Sequence, residues 1–172
     1  MAHRAPIIIE QPSSSWATEF ETEKRLLLTS LPGSGFQIEH IGSTAVPGLP
    51  AKPIIDMMLG AHSLSEIESV ASHICSLGYQ YMPEHEEQLP ERRFFAKPVI
   101  RPRRIHLHGV VTSGRFWAEH LRFRDRLRGC PSLARQYADL KICLAAAFGD
   151  DRGGYTEAKA AFIRQAISEA AR

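Results

Sequence analysis

Hydrophobic and polar positions follow two rhythms along this chain, and the change between them divides it. Trp16, Phe20, Leu27 and Leu31 recur at roughly helical spacing, so Ser13 to Leu31 predicts a helix with Ser13, Ser14 or Ser15 as its cap. Pro32-Gly33-Ser34-Gly35 ends it. Phe36 to Ile41 reads as a strand. Gly42 to Pro53, interrupted by Pro47-Gly48 and Pro50, reads as a loop or short helical turn. Ile54 to Leu59 reads as a second, buried strand. Ser63, with Glu66 three residues on, opens a helix to Leu77. Its Leu64, Ile67, Val70, Ala71 and Ile74 share a face, and Gly78 stops it. Tyr79 to Met82 is a short strand, and Pro83 to Glu91 a polar, acidic connection. Arg92 to Ile100 and Arg103 to Val111 predict two strands around a tight turn at Arg101-Pro102. After Ser113-Gly114 the period is helical, over about 115–128, 131–148 and 155–171. Gly129 to Pro131 and Gly149 to Gly154 separate these helices.

That order predicts an α+β fold, a mixed sheet with helices against it and a C-terminal helical part. The 172 residues suit one domain. Its sheet core runs over about 13–112 and its helical part over about 114–172. Hydrophobic residues, at 44%, supply a core, and charged residues, at 23%, are too few for wholesale disorder. A formal net charge of +2 is too small to require nucleic acid as a partner, and none is expected, so basic character has to be sought locally. Cys75, Cys130 and Cys143 form no CxxC pair and no zinc spacing. Cys75 and Cys143 fall in apolar helical patterns and read as buried small hydrophobes, which fits a reducing, cytoplasmic setting. The three-isoleucine run near the N-terminus is too short for a signal segment or a membrane span.

One carboxylate stands out. Asp56 lies between Ile55 and Met57 in the second strand, where an ionised side chain is costly unless it is paired or holds a metal. Upstream, Gly42-Ser43-Thr44 follows the first strand. Gly42 lets the backbone approach a bound group, and Ser43 and Thr44 offer hydroxyls. An ordinary strand-ending turn explains the same three residues. The spacing is not that of a P-loop. Lys52 is the cation nearest Asp56 in the chain, able to pair with it or to reach a phosphate. Glu39, on the first strand, becomes a candidate if its face meets Asp56.

His106 and His108 are two apart on a predicted strand and share a face, so they can ligate a metal or act as acid and base. A hydrogen-bonded or half-exposed pair is the plainer explanation. In the helices, Arg124 and Arg128 are spaced i, i+4, and so are Tyr155 and Lys159. Lys141 stands among Tyr137, Leu140 and Leu144. Singly, each reads as a solvated or snorkelling side chain; converging, they would neutralise an anion. Arg92, Arg93, Lys97, Arg101, Arg103 and Arg104 form a local basic run that either steers a nucleotide or protects two edge strands with charge.

These blocks resemble the GrpB family, also called UPF0157, placed in the nucleotidyltransferase superfamily. The resemblance is carried by HIGSTAVPGLPAKPIID (His40 to Asp56), Leu77-Gly78-Tyr79 and Arg93-Phe94. It continues through IHLHGVV (Ile105 to Val111), FRDRLR (Phe123 to Arg128), YADLKICLA (Tyr137 to Ala145), and Tyr155 with Lys159. It implies a nucleotidyltransferase-like mixed sheet and transfer of a nucleotidyl group from an NTP to a small molecule. In such a site Gly42, Ser43 and Thr44 cradle phosphates. Asp56, with His106 and His108, holds a divalent metal (Mg²⁺, Mn²⁺ or Zn²⁺), and one histidine serves as base. Lys52, Arg124, Arg128, Lys141 and Lys159 neutralise the phosphates, and Tyr155 positions them. The chain departs from the superfamily pattern at Met58, where a second carboxylate is expected, and the His pair stands where a third one falls. The family also resembles the C-terminal extension of some dephospho-CoA kinases. That implies the alternative, a non-catalytic nucleotide- or anion-binding or folding-assistance module.

Overall fold

The computed structural model describes residues 6–98 and 104–169. Helix α1 (Ser15–Ser30) precedes β1 (Gln37–Ile41), a single 3-10 turn (Ser43–Ala45) and β2 (Ile55–Ala61). Two short helices follow, α2 (Leu64–Ser69) and α3 (Ala71–Ser76), then β3 (Gln80–Tyr81). β4 (Arg92–Lys97) and β5 (Ile105–Val111) lead into α4 (Arg115–Gly129), α5 (Pro131–Phe148) and α6 (Arg152–Glu169). The strands form one sheet in the order β1-β2-β5-β4-β3. Only β2 and β5 run parallel; the other neighbouring pairs are antiparallel.

Period-two alternation splits the side chains of this sheet between two faces. Ile38, Ile55, Met57, Leu59, Phe95 and Leu107 face α1, α2 and α3, where Trp16, Phe20, Leu27, Ile67 and Ile74 complete the main core. Each such side chain, fully buried, contributes roughly 1.5–3 kcal/mol relative to exposure. On the other face Ile41, Met58 and Val110 pack under Trp117 of α4. A third cluster ties the loop after β1, through Val46 and Leu49, to Leu127, Tyr137 and Ala138 of the C-terminal helices. That cluster places α5 and α6 beside the Gly42 turn.

Several expectations need correction. The helix expected over Ser63 to Leu77 is two helices that break at Val70, which keeps Ile67, Val70 and Ile74 all in the main core. Its cap is as expected: Ser63 Oγ accepts from Glu66 N at 3.3 Å, while Glu66 Oε2 accepts from His62 N at 3.0 Å. Helix α6 starts three residues early, because Asp151 Oδ1 accepts from Gly154 N at 3.0 Å and carries the helix back through the glycines. Cys75 and Cys143 are exposed, not buried, since Ile74 rather than Cys75 takes the core position in α3. β4 and β5 are not edge strands: β5 is central, and Lys97 and Arg104 pair with Glu23 and Glu19 of α1. The turn at Arg101-Pro102 lies outside the described residues. No helix among the described residues is long and apolar enough to cross a membrane.

Candidate functional site

The site is made by strand register. β2 and β5 run parallel with Asp56 opposite His106 and Met58 opposite His108, and β1 places Ile41 opposite Asp56. The carboxylate and both imidazoles therefore stand on the sheet face that α4 partly covers. His106 Nδ1 lies 3.2 Å from Asp56 Oδ1, and His108 Nε2 lies 3.7 Å from the same oxygen. Burial pushes the Asp56 pKa up, but the hydrogen bond from His106 and the nearby His108 imidazole outweigh it and hold the carboxyl well below the usual range. His108 is 9% exposed, and burial lowers its pKa to about 4 despite the attraction of Asp56. It is neutral at pH 7. Its Nδ1 accepts from Arg92 Nη1 at 3.2 Å, so its proton sits on Nε2 and faces Asp56. His106 likewise presents Nδ1–H to Asp56, which leaves Nε2 as the ring nitrogen not facing the carboxylate.

Gly42 brings the phosphate-loop candidate against this carboxylate. Its φ of +71° and ψ of −170° are a glycine-only conformation, and a Cβ built there would stand 2.8 Å from Asp56 Oδ2. The 3-10 turn follows at once, with Ser43 beside the Tyr137 hydroxyl. Thr44 does not belong to a ligand surface. Its hydroxyl donates to the Ile54 carbonyl at 3.1 Å and lies 3.0 Å from His40 Nε2. His40 stacks on Phe20 at 4.5 Å, and burial lowers its pKa to about 4. Thr44 is therefore a buried strut between β1, β2 and the turn.

The cations divide into two groups. Arg124 and Arg128 share a face of α4 as expected but are spent on structure. Arg124 binds Glu39 Oε2 at 2.5 Å, Asp125 Oδ1 at 2.8 Å and the His40 carbonyl at 3.0 Å. Glu39 is thus on the Asp56 face but serves Arg124. Arg128 Nε and Nη2 both donate to the Ala45 carbonyl, at 2.9 and 2.7 Å, and clamp the 3-10 turn. Lys52, Lys141 and Lys159 behave otherwise. Lys52 Nζ and Lys159 Nζ both approach the buried Tyr155 ring, 4.2 and 4.3 Å from its centroid. Lys141, 2% exposed, donates to the Pro50 carbonyl and lies 5.0 Å from the Tyr137 ring centroid. None of the three forms an ion pair with a carboxylate among the described residues. Burial, with repulsion from Lys159 and Arg152, lowers the Lys52 pKa to about 8. Burial and Lys159 lower that of Lys141 to about 7, and burial lowers Lys159 against the attraction of Asp56.

The fit of a divalent ion follows from the donor atoms. A resident cation needs lone pairs aimed at one point, whereas here the imidazole nitrogens nearest Asp56 present protons to it. Among the described residues no group of three or more His, Cys, Asp or Glu side chains is arranged to hold a metal ion. Asp56, His106 and His108 do meet, as a hydrogen-bonded cluster that does not fit Mg²⁺, Mn²⁺ or Zn²⁺ as a cage of its own. Met58, where the resemblance leads one to expect a second carboxylate, is fully buried under Trp117.

Sequence reasoning assigned no role here to Phe116 or His120, or to Arg92 and Phe94 as partners of His108. Alternation along β4 puts Arg92 and Phe94 on the His108 face once Phe94 pairs with His108. That pairing was the missing signal for β4. For the α4 residues no signal existed.

A single mixed sheet whose Gly42 turn packs against a C-terminal helical flank defines the class of protein. The family follows from the match: the chain belongs to the family described as GrpB protein, which it matches over residues 6–169. It is 32% identical over 171 residues to the glutamate-rich protein GrpB of Alkalihalophilus pseudofirmus, with 97% of each chain covered. The crystal structure of conserved protein GrpB from Enterococcus faecalis superposes with a TM-score of 0.84 at 35% identity, covering 95% of this chain and 96% of that one. A dephospho-CoA kinase of Mycolicibacterium paratuberculosis is 25% identical over 168 residues, and this chain spans 39% of its length.

Proposed function

We propose that the chain binds the polyphosphate of a nucleoside triphosphate between the Gly42 turn and α6, and transfers its nucleotidyl group to a small molecule. One observation carries this reading. Lys52, Lys141 and Lys159 crowd one another beside Tyr137 and Tyr155 with no carboxylate partner among the described residues. Packing like charges together in a partly buried place is costly, and an anion offsets that cost.

The chemistry follows from Asp56 and His106. Asp56 accepts the Nδ1 proton of His106, fixing the tautomer whose Nε2 is a base. An acceptor hydroxyl gives its proton to Nε2 as its oxygen bonds to the α-phosphorus. The bond from that phosphorus to the β-phosphate bridging oxygen breaks, and pyrophosphate leaves against Lys52 and Lys159. Ser43 lies where the phosphates enter. Arg124 and Arg128 position the turn and do not touch the ligand.

A non-catalytic binding module of the same fold is the second reading, favoured by the buried Met58 and by the likeness to part of a dephospho-CoA kinase. Thermal shift with each of four NTPs, with and without divalent metal, separates the readings when combined with pyrophosphate release in a pool of small metabolites. At about a hundred times its dissociation constant a ligand adds about 2.7 kcal/mol. Stabilisation that Lys52→Ala and Lys159→Ala abolish, with pyrophosphate release that Asp56→Asn abolishes, is the expected result. Stabilisation without product supports the module, and no stabilisation by any NTP refutes both.

A further inference from the structure

The sheet face on the β4 side of Asp56, away from the lysines, is built differently. β4 and β5 set Arg92 and Phe94 on one face with His106 and His108. Phe94, 8% exposed, is the floor: His106 and His108 each lie 5.2 Å from its ring, and the Arg92 guanidinium 4.8 Å over it. α4 adds Phe116, stacked on His120 at 3.9 Å and 5.8 Å from His108. Arg92 spends Nη1 on a neutral imidazole, while its Nε is buried with no partner. Glu91 and Asp56 attract it only from beyond ion-pair distance. A half-buried guanidinium with no carboxylate at ion-pair distance carries an uncompensated charge, a standing cost that an incoming carboxylate offsets.

We infer that Arg92 and this wall of rings form a second subsite, for a flat aromatic carboxylic acid, across Asp56 and His106 from the lysines. Placing it as the acceptor side rests on the reading of the lysines as the phosphate side. The chemistry of the two sides differs accordingly. Lysines are mobile point charges suited to phosphate, whereas the planar fork of an arginine matches a carboxylate. The offset and edge-on rings offer stacking to an aromatic group and little to a saturated one. His106 stands between the two sides, so an acid seated on Arg92 carries its own hydroxyl toward the base.

The test uses 4-hydroxybenzoate, its methyl ester and cyclohexanecarboxylate as probes, read by imidazole NMR on the full chain, with inorganic triphosphate titrated in parallel. The acid should shift the His106, His108 and His120 signals saturably. The ester, the saturated acid and Arg92→Gln should each weaken binding by about tenfold or more, and Lys52→Ala should weaken only triphosphate. No saturable shift by the acid up to about 10 mM overturns the subsite, as does equal binding of the ester. The ester comparison needs no variant, so it decides even if Arg92→Gln does not fold. Triphosphate failing while the acid binds would remove the phosphate reading and leave the aromatic-acid site standing. Triphosphate binding while the acid fails would do the reverse.

Discussion

Replacing Gly42 by alanine probes how the turn and the carboxylate were fitted to each other. Two costs add. An alanine at φ +71°, ψ −170° sits in a glycine-only region, worth about 1–3 kcal/mol. Its methyl group would also lie 2.8 Å from Asp56 Oδ2 and 3.2 Å from Asp56 Cβ, an overpacking worth about 1–3 kcal/mol. Gly48→Ala is the control. Its φ is +75°, but nothing lies within 4 Å of the added carbon, so it reports backbone strain without the collision. Urea unfolding should give a loss of about 3 kcal/mol or more for Gly42→Ala, and about 1–2 kcal/mol for Gly48→Ala. For a domain of this size the first is a fall in Tm of roughly 6–12 °C. The closest part of the collision is removable: Asp56→Ala deletes Oδ2 but keeps Cβ at 3.2 Å, so in that background Gly42→Ala should cost about 1 kcal/mol less, a coupling that a double-mutant cycle measures. Equal losses at Gly42 and Gly48, with no coupling to Asp56, would refute the contact between turn and carboxylate.

Other outcomes follow from the same geometry. His40 and His108 are held neutral, with pKa values near 4 in the fold against an ordinary 6.5, so the unfolded chain binds more protons between those values. Stability should therefore fall on acidification from pH 6.5 to 4, by about 1.4 kcal/mol per pH unit for each histidine, and His40→Gln should roughly halve that slope in urea titrations at fixed pH. A flat profile would count against both assignments. Triphosphate affinity by calorimetry should weaken as pH rises from about 7 to 9, because Lys141 and Lys52 lose their charge in the free protein near 7 and 8. Affinity that is constant over that range would dissociate the lysines from binding. Thr44→Val should cost about 1–3 kcal/mol of stability by stranding His40 Nε2 and the Ile54 carbonyl, with triphosphate affinity unchanged. A selective loss of affinity would return Thr44 to the ligand.

Much of the scaffold was legible in the chain because local rules and tertiary packing agree there. Trp16, Phe20 and Leu27 keep helical spacing and all reach the main core. Ile55, Met57 and Leu59 alternate with Asp56 and lie on the opposite face from it. Asp56 itself was conspicuous as a charge inside an apolar strand, and its two histidine partners as an alternating pair. Cys75 misled because an apolar neighbourhood does not say which of two adjacent residues turns inward.

Which groups meet was decided elsewhere. Parallel pairing of β2 with β5 sets Asp56 beside His106, although 50 residues separate them and neither strand carries that register in its own residues. Antiparallel pairing of β4 with β5 brings Arg92 to His108 in the same way. The helices sorted the cations: Arg124 and Arg128 found acceptors on β1 and the turn, while Lys52 and Lys159 met over one tyrosine ring. Sequence period determines which face a side chain takes, because it follows from backbone geometry within a few residues. Charge pairing depends on distances across the fold, and those exist only once the sheet has chosen its register and α4 to α6 have packed beside it.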